Sequence, residues 1–330
     1  MAGIRLEPVD GLRLTILMDN VTDPLIPDQG PVTRLSWPKA LAARAAHTPA
    51  LLAESGTVPD ALIAEPGFSA LVRVEKGGKG HTLLFDAGVS PTGVVENMRR
   101  LGISLRDVEV IVLSHGHWDH VTGMEGVART LGRAGLPVLI HPEFWSRRRI
   151  TFPGLDPAEL PSTSRSALEG VGFEIVEERR PSFLLDGSVL ITGEVDRTTE
   201  FETGFRGHEA LRASGWQPDP LILDDQALVV RVRERGLVVL SGCGHAGIVN
   251  TVRYAQRLTG EQRIAAVIGG FHLSGPMFES VIPPTVRAFD ELAPELVLPA
   301  HCTGWRAVHH VAARFPDAFV QSAVGTTIEL

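Results

Sequence analysis

The sequence predicts an α/β (or α+β) fold in which metal-binding side chains follow the C-terminal end of a buried strand. Short apolar runs typical of strands alternate with helical patterns along most of the 330 residues. One such run, Val108 to Leu113, is followed at once by a histidine-rich turn and then by a helical pattern from Val121 to Leu131. Open α/β sheets usually place their functional sites at strand ends of this kind.

The histidine-rich turn has the sequence His115-Gly116-His117-Trp118-Asp119-His120. Residues two apart in an extended turn point the same way, so His115 and His117 can bind one cation together. Asp119 and His120 lie near the start of the next helix and can face a neighbouring cation. Imidazole and carboxylate suit zinc, and also iron or manganese. A histidine-rich surface loop is the alternative, but four such ligands on one short turn favour a metal site.

The segment before this turn is predicted to be rich in strands. Strands are expected over 12–18, 70–75 and 82–86, the last two joined by the turn 76–80, and a short helix over 38–46. Ser90 as N-cap and Pro91 at the first helical position predict a further helix. That helix should end near Leu101, where Gly102 stops it.

The segment after the turn is less regular up to residue 220. A short strand is predicted over 138–141, and two strands over 172–176 and 188–192 are expected to pair. The run Arg147 to Arg149 is predicted to be a solvated face, one member of which could hold an anionic substrate. Long connections in compact domains are often lids, so we expect part of the segment 151–220 to be an insertion that covers the site.

The last third of the chain returns to regular patterns. A hairpin is predicted over 221–233 and 236–240, and a helix from residue 248 has its apolar residues on one face. Strands over 264–268 and 296–301, helices over 284–292 and 304–315, and a short terminal strand complete the prediction. The helices that begin near Ala246 and Thr303 could direct their first amides at an anionic group.

The two halves of the chain repeat similar strand sequences in the same order. Residues 83–88 resemble 238–243, residues 110–115 resemble 266–272, and residues 138–141 resemble 297–301. The repeat is too long and too loose for a solenoid. It predicts one β-layered unit used twice, with its strand ends converging on one edge.

Composition narrows the classes of function. The net charge of −8 argues against nucleic acid or an anionic membrane as the main partner, which leaves a small-molecule substrate. No apolar stretch is long enough to cross a bilayer, and the N-terminus lacks the apolar core of a signal peptide, so a cytoplasmic location is expected. Two cysteines do not make a disulfide framework. The sequence leaves the oligomeric state open, a homo-oligomer included.

The motif His-x-His-x-Asp-His resembles the signature of the metallo-β-lactamase superfamily. That resemblance implies a four-layer αββα sandwich with one or two divalent metal ions, most simply zinc. It implies a single domain over 1–330 with pseudo-symmetric halves of about 1–175 and 176–330. It also implies further ligands on later strand ends.

The remaining ligands are expected at His245 and His301, because each follows an apolar strand and precedes a helix. In the superfamily pattern one cation takes the paired histidines plus a later group, and the other takes the Asp-His pair plus the last histidine. The strand before His245 would normally end in a bridging aspartate. Ser241-Gly242-Cys243 stands in its place, so Cys243 is either a thiolate ligand or a spectator.

Other residues receive roles around these ligands. Asp224 and Asp225 are candidates for a metal or substrate contact, and a solvated strand start is the alternative. Asp86 is expected to orient a ligand histidine, and Asp119 and His272 are the candidate catalytic residues, His272 as a proton shuttle or else a structural histidine. Three further residues are expected to touch the pocket: Trp118, Cys302 and Thr303.

Longer stretches resemble one branch of the superfamily. They are Leu223-Asp-Asp-Gln-Ala-Leu, Ser241-Gly-Cys-Gly-His-Ala-Gly-Ile-Val-Asn-Thr, Ile268-Gly-Gly-Phe-His-Leu and Pro299-Ala-His-Cys-Thr-Gly-Trp. The branch is that of 7,8-dihydropterin-6-methyl-4-(β-D-ribofuranosyl)aminobenzene-5'-phosphate synthase. The segment from about 151 to 215 departs from it, and Trp118 replaces a tyrosine common in the branch.

Four classes of function follow from this resemblance. The first is a hydrolase that uses a metal-activated hydroxide on an ester, lactone, amide or phosphoester. The second is the synthase itself, with the same metals holding a diphosphate leaving group. A di-iron redox protein is the third, although no flavin-binding module follows the domain. A non-catalytic binding protein is the fourth, and six intact ligand candidates argue against it.

Overall fold

The computed structural model describes residues 5–42, 47–132, 134–152 and 154–330. The strands in chain order are β1 (Gly11–Met18), β2 (Val32–Thr33), β3 (His47–Pro49), β4 (Thr57–Pro59), β5 (Ser69–Lys76), β6 (Lys79–Phe85), β7 (Val110–Val112), β8 (Leu136–Ile140), β9 (Arg148–Ile150), β10 (Ala158–Glu159), β11 (Phe173–Glu177), β12 (Ser182–Leu184), β13 (Val189–Ile191), β14 (His208–Arg212), β15 (Gly215–Pro218), β16 (Ala227–Val232), β17 (Gly236–Ser241), β18 (Ile264–Gly270), β19 (Leu296–Ala300) and β20 (Thr327–Glu329). The helices are α1 (Trp37–Ala42), α2 (Gly93–Arg100), α3 (Trp118–Val121), α4 (Met124–Leu131), α5 (Arg165–Gly170), α6 (Ile248–Thr259), α7 (Ile282–Leu292) and α8 (Trp305–Arg314).

Two large sheets form the centre of the described structure. The first has the strand order β11-β8-β7-β6-β5-β1-β20-β2, and the second has the order β12-β13-β16-β17-β18-β19. Strand β20, at the end of the chain, pairs antiparallel with β1 in the first sheet. Two small sheets accompany them, one made of β10-β9-β14-β15 and one of β3-β4.

Successive side chains along each strand point to opposite faces of its sheet, and this alternation produces the layers. In β1, Leu14 and Ile16 belong to the apolar core between the two sheets, whereas Leu17 packs toward the helices on the outer face. In β16, Val230 faces the core between the sheets and Val229 faces the opposite layer. Both faces of each sheet are therefore buried, which explains the continuous apolar runs in these strands.

Helices cover both outer faces. Helices α2 and α4 pack on the first sheet, for example through Met98 and Val127. Helices α6, α7 and α8 pack on the second sheet through residues such as Val252, Phe289 and Val311. The order helix, sheet, sheet, helix is the αββα sandwich that the resemblance implies.

The repeated strand sequences occupy matching places in the two sheets. Strands β6, β7 and β8 are parallel, and β5 pairs antiparallel with β6. Strands β17, β18 and β19 are likewise parallel, and β16 pairs antiparallel with β17. Parallel strands end at the same edge of their sheet, so the strand ends of both repeats face one rim of the molecule.

Three predictions about local structure need correction. The strands near 172–176 and 188–192 do not pair: β11 joins β8 in the first sheet, and β13 joins β16 in the second. Helix α2 begins at Gly93 rather than at Pro91, and the Oγ of Ser90, the predicted N-cap, accepts a hydrogen bond from the Gly93 amide at 3.0 Å. The helix predicted from Val121 starts earlier and is divided into α3 and α4 at Gly123, where a side chain would collide with the Ala87 carbonyl.

The segment 151–220 is divided among several layers. Strand β11 belongs to the first sheet and has helix α5 packed against it, and β12 and β13 belong to the second sheet. Strands β10, β14 and β15 form the small four-stranded sheet with β9.

In the described part of the chain no helix is both long enough and apolar enough to cross a membrane. The helix predicted over 38–46 is observed up to Ala42, and residues 43–46 lie outside the described structure.

Candidate metal centre

Turns that follow β6, β7, β17 and β19 meet at this rim. The turn after β7 carries His115, His117, Asp119 and His120. The Gly116 amide in this turn donates a hydrogen bond to the buried carboxylate of Asp224, which holds the turn in place. Gly116 has no room for a side chain, since a Cβ there would lie 2.2 Å from the Phe144 carbonyl oxygen.

Three histidines form the first ligand group: His115, His117 and His245. Their candidate ligand atoms all lie within 4.8 Å of one another. His115 Nε2 is 2.9 Å from His117 Nδ1, and His117 Nδ1 is 3.1 Å from His245 Nε2. The structure thus brings His245, a later candidate ligand 130 positions after His115, next to the histidine pair.

An aspartate and two histidines form the second group: Asp119, His120 and His301. Asp119 Oδ2 is 3.3 Å from His301 Nε2 and 3.9 Å from His120 Nε2. The rings of His115 and His120 are 4.4 Å apart between centroids, so the two groups adjoin each other.

Unpartnered ring nitrogens test whether these residues fit a metal. His117 Nε2, His120 Nε2, His245 Nδ1 and His301 Nε2 are buried and have no hydrogen-bond partner in the described structure. Leaving a buried polar atom unpaired costs about 1–3 kcal/mol, and two of these atoms, His120 Nε2 and His301 Nε2, face Asp119 in the second group, where a cation would be their partner. Imidazole and carboxylate donors of this kind fit one or two divalent cations.

Protonation states in the first ligand group suit cation binding. Burial lowers the pKa values of His115, His117 and His245 well below the usual histidine value, which leaves neutral imidazoles with free lone pairs. Burial alone would raise the pKa of Asp119, but His120 and His301 together hold it below its usual range. For His120 burial lowers the pKa, while Asp86 and Asp119 outweigh it and raise the pKa to about 9, so a cation bound at Nε2 would have to displace a proton.

Buried partners orient the histidines from behind. Asp86 Oδ2 is 2.7 Å from His120 Nδ1, and the same carboxylate accepts hydrogen bonds from the amide and hydroxyl of Ser114. His301 is fixed by Asn20, whose Oδ1 lies 3.3 Å from His301 Nδ1, and by Asp19, which accepts from the His301 amide at 2.8 Å. Asp86 thus occupies the place expected for it, and the sequence did not single out Asn20 or Asp19.

The backbone at these strand ends is in the left-handed region. Asp86, His272 and His301 have φ values of 56°, 46° and 47°. Non-glycine residues are uncommon there, and such conformations cluster at functional sites because the surrounding structure has to enforce them.

Asp224 and Asp225 are both buried, so the alternative of a solvated strand start is wrong. Asp224 accepts from Gly116 N at 2.8 Å and pairs with Arg148 at 2.5 Å. Arg148 is 2% exposed and also contacts Asp219, so it is not part of a solvated face.

Asp225 accepts a hydrogen bond from Ala246 N at 2.7 Å, and burial raises its pKa to about 7.

Cys243, Cys302 and His272 lie between the two groups. Cys243 Sγ is within 4.8 Å of ligand atoms of His115 and His120, and 3.6 Å from His272 Nδ1. The rings of His272 and His245 are 4.1 Å apart. Thr303 is buried behind them and bonds to the Ala300 carbonyl. Trp118 is half-buried at the start of α3.

The amides at the start of α6 are engaged by the protein itself. Glu202 accepts from the amides of Val249 and Asn250 at 2.8 Å each, and Asp225 accepts from Ala246. The prediction that this helix end points at an external anion is therefore wrong, because buried carboxylates already occupy it.

His208 is a residue that sequence reasoning missed. It lies on β14 in the small sheet, is 1% exposed, and has its ring 4.9 Å from that of His117. Its Nδ1 has no partner in the described structure, and burial, with help from Arg148, lowers its pKa to about 3. No motif surrounds it in the sequence, so only the folded sheet reveals its position.

A cavity of about 350 Å³ opens beside the first ligand group. His245 and His272 form one wall, and Phe205, Met277 and Phe278 supply apolar surface. Arg206, an exposed residue, also lines it. The cavity can therefore receive an organic group next to the candidate metal site.

Comparison with known proteins gives the family. The family described as the metallo-beta-lactamase superfamily matches residues 62–258, well over half of the chain. The chain belongs to the metallo-β-lactamase superfamily. This match begins before the histidine-rich turn and extends past His245, so it includes the first ligand group completely. The chain is accordingly an enzyme of the metallo-β-lactamase fold.

Two relatives resemble this superfamily member over most of its length. The 7,8-dihydropterin-6-methyl-4-(beta-D-ribofuranosyl)-aminobenzene-5'-phosphate synthase of Methanocaldococcus jannaschii is 29% identical over 267 residues, which cover 80% of this chain and 89% of the synthase. A solved metal-dependent hydrolase of the beta-lactamase superfamily aligns with a TM-score of 0.69 and 25% identity, covering 97% of this chain and 99% of its own. Ribonuclease Z of Thermobifida fusca matches a shorter part, 38% identical over 119 residues, or 36% of this chain and 33% of the ribonuclease.

Proposed function

We propose that this enzyme is a metal-dependent hydrolase with two divalent ions, most simply zinc, that acts on an ester, lactone or phosphoester bond of a small anionic molecule. The observation that supports the proposal most directly is the pair of adjacent ligand groups, in the second of which the buried Nε2 atoms of His120 and His301 have no hydrogen-bond partner in the described structure. A solved hydrolase with a TM-score of 0.69 supports the same class of reaction.

The two groups divide the ligands as the superfamily pattern implies. His115, His117 and His245 would hold one ion, and Asp119, His120 and His301 would hold the other. Such ions supply Lewis acidity and make a hydroxide nucleophile accessible at neutral pH when they are bound.

The chain's own residues would orient and bind the substrate. Asp86 and Asn20 keep the lone pairs of His120 and His301 directed at the site. Phe205 and Phe278 would pack against the organic part of the substrate in the cavity, and Arg206 would attract its negative charge. His208, neutral because its pKa is low, would offer a ring nitrogen as a hydrogen-bond partner on the side of the first group.

Synthase activity on the same ligand set is the second candidate. The observation that favours it is the 29% identity over 80% of the chain to the Methanocaldococcus jannaschii synthase. A diphosphate leaving group is anionic, so the ligand groups and Arg206 suit it as well as they suit a phosphoester. The two candidates differ in the acceptor, which is water for the hydrolase and a carbon or nitrogen nucleophile for the synthase.

One set of assays separates the candidates. Metal-loaded protein is incubated with chromogenic esters, lactones and phosphodiesters, and separately with a dihydropterin diphosphate and an aminobenzene acceptor. The hydrolase is supported if the protein hydrolyses the first panel, if His117→Ala abolishes this activity and if His309→Ala preserves it. His309 is an exposed histidine and serves as the control. If the second reaction gives the coupled product and no compound of the first panel is hydrolysed, the synthase replaces the hydrolase as the proposed function.

A further inference from the structure

The two cysteines of the chain lie side by side within the candidate metal centre. Cys243 follows β17 and Cys302 follows β19, and their Sγ atoms are 3.1 Å apart although 59 positions separate them in sequence. Both are free thiols. We propose that Cys243 and Cys302 form an oxidative modification site at which a hydroperoxide converts the two thiols into a disulfide.

The geometry requires a short movement of the two sulfur atoms. A disulfide bond is about 2.05 Å long, so the sulfurs have to approach by ~1 Å. Gly270 permits the close packing of the two turns, because a Cβ there would lie 2.9 Å from Cys302 Sγ and 3.0 Å from Cys243 Cα. Cys302 Sγ is also 3.2 Å from the Cys243 carbonyl oxygen, which holds it over the other turn.

Exposure sets the order of the two chemical steps. Cys243 is 3% exposed, whereas Cys302 is only partly buried, so the oxidant meets Cys302 first. The Cys302 sulfur attacks one oxygen of hydrogen peroxide, the O–O bond breaks, and a sulfenic acid and one water form. The Cys243 sulfur then attacks the Cys302 sulfur, the S–S bond forms, and the S–O bond breaks. The departing oxygen takes the Cys243 thiol proton and leaves as a second water, so two electrons pass from the sulfurs to the peroxide.

The position of the pair links its oxidation to the ligand groups. Cys243 lies within 4.8 Å of ligand atoms in His115 and His120, and Cys302 lies equally close to His301. A disulfide would therefore join the turn before His245 to the turn that carries His301. The opposing interpretation is that both sulfurs are held as metal ligands, and it makes a different prediction for the metal-loaded protein.

Peroxide titration of the metal-loaded protein tests the proposal without any substrate. The protein is treated with one equivalent of hydrogen peroxide, quenched with catalase and denatured, and its thiols and intact mass are measured. We expect both thiols to disappear together, the mass to fall by two hydrogen atoms, and dithiothreitol to restore both. Because no turnover is measured, the outcome is independent of the proposed function.

Two serine variants separate the steps. In Cys243→Ser we expect a sulfenic acid at Cys302 that dimedone captures, and in Cys302→Ser we expect Cys243 to react at least tenfold more slowly. Circular dichroism shows whether each variant is folded, and the wild-type mass measurement decides the proposal even if one is not. Oxygen addition without a cross-link would overturn the proposal, as would thiols that react only after the metal is chelated.

Discussion

The Nδ1 atom of His120 lies 2.7 Å from Oδ2 of Asp86, and neither side chain is exposed to solvent. This contact leaves His120 Nε2 directed at Asp119 and without a hydrogen-bond partner in the described structure. The Asp86 carboxylate can only accept a hydrogen bond, so it keeps a proton on His120 Nδ1. The lone pair that a cation can use is therefore the one on Nε2.

Replacing Asp86 by Asn should weaken metal binding while the fold is kept. Asparagine has the same shape and tolerates the left-handed backbone at this position. An amide, however, accepts less strongly and can present its NH2 group to His120. We expect metal affinity to fall about 10- to 100-fold, as measured by competition with a chromogenic chelator. Asp107→Asn, at an exposed position, is the control, and equal affinity in both variants would remove Asp86 from the site.

The two ligand groups should lose metal separately. His117→Ala removes a ligand only from the first group, and His301→Ala removes one only from the second. Elemental analysis after dialysis should therefore show the loss of about one ion per chain in each variant, because a site needs at least three protein ligands. His309→Ala should retain all of its metal. Full metal content in either ligand variant would contradict the division into two groups.

The sequence predicts those parts of the fold in which a local residue pattern determines the structure. Runs such as 110–113 and 237–240 are apolar because both faces of each sheet are covered, and the adjacent turns carry the ligands. His115 and His117 were recognisable because their spacing alone lets them share a cation. His245 and His301 needed the additional premise that parallel strands end at one edge.

Other parts of the site depend on contacts that no local pattern encodes. Arg148 stands in a run of three arginines, and only the strand β9 beside β14 turns it inward toward Asp224. His208 lies on that same small sheet with no neighbouring motif. The partners of β11 and β13 are likewise β8 and β16, strands that are not adjacent to them in the chain, so the local pattern does not encode these pairings.

The buried ion pair between Arg148 and Asp224 should be essential for stability. Arg148→Met leaves the carboxylate of Asp224 buried without its cation, which costs about 3–5 kcal/mol of unfolding free energy. The neighbouring Arg147 makes an exposed pair with Glu159, so Arg147→Met should cost at most about 1 kcal/mol. Urea denaturation measures both. Similar losses in the two variants would show that the buried pair has no special role.

The same pair predicts how stability depends on pH. Burial alone would raise the pKa of Asp224, but Arg148 and the Gly116 amide outweigh it and lower the pKa below its ordinary value. A carboxylate with a lowered pKa in the folded state stabilises the protein above the unfolded pKa of about 3.9, and this contribution disappears as the pH falls through the folded pKa. The stability difference between wild type and Asp224→Asn should therefore be constant from neutral pH to about pH 4 and shrink below it. A difference that grows on acidification would contradict this assignment.

Gly269 should be the glycine of β18 at which a side chain is least tolerated. A Cβ there would lie 1.9 Å from the Ser241 carbonyl oxygen, and φ is 109°. The collision is with the backbone of β17, whose Ser241 is paired in register with Gly269, so no side chain can rotate away to relieve it. We expect Gly269→Ala to lower the unfolding free energy by about 3 kcal/mol or more. Gly102 has a φ of 70° but open space around it, so Gly102→Ala should cost only about 1–2 kcal/mol for the left-handed backbone. Urea midpoints for the two variants compare the steric effect directly, and equal losses would show that β17 and β18 can separate without cost.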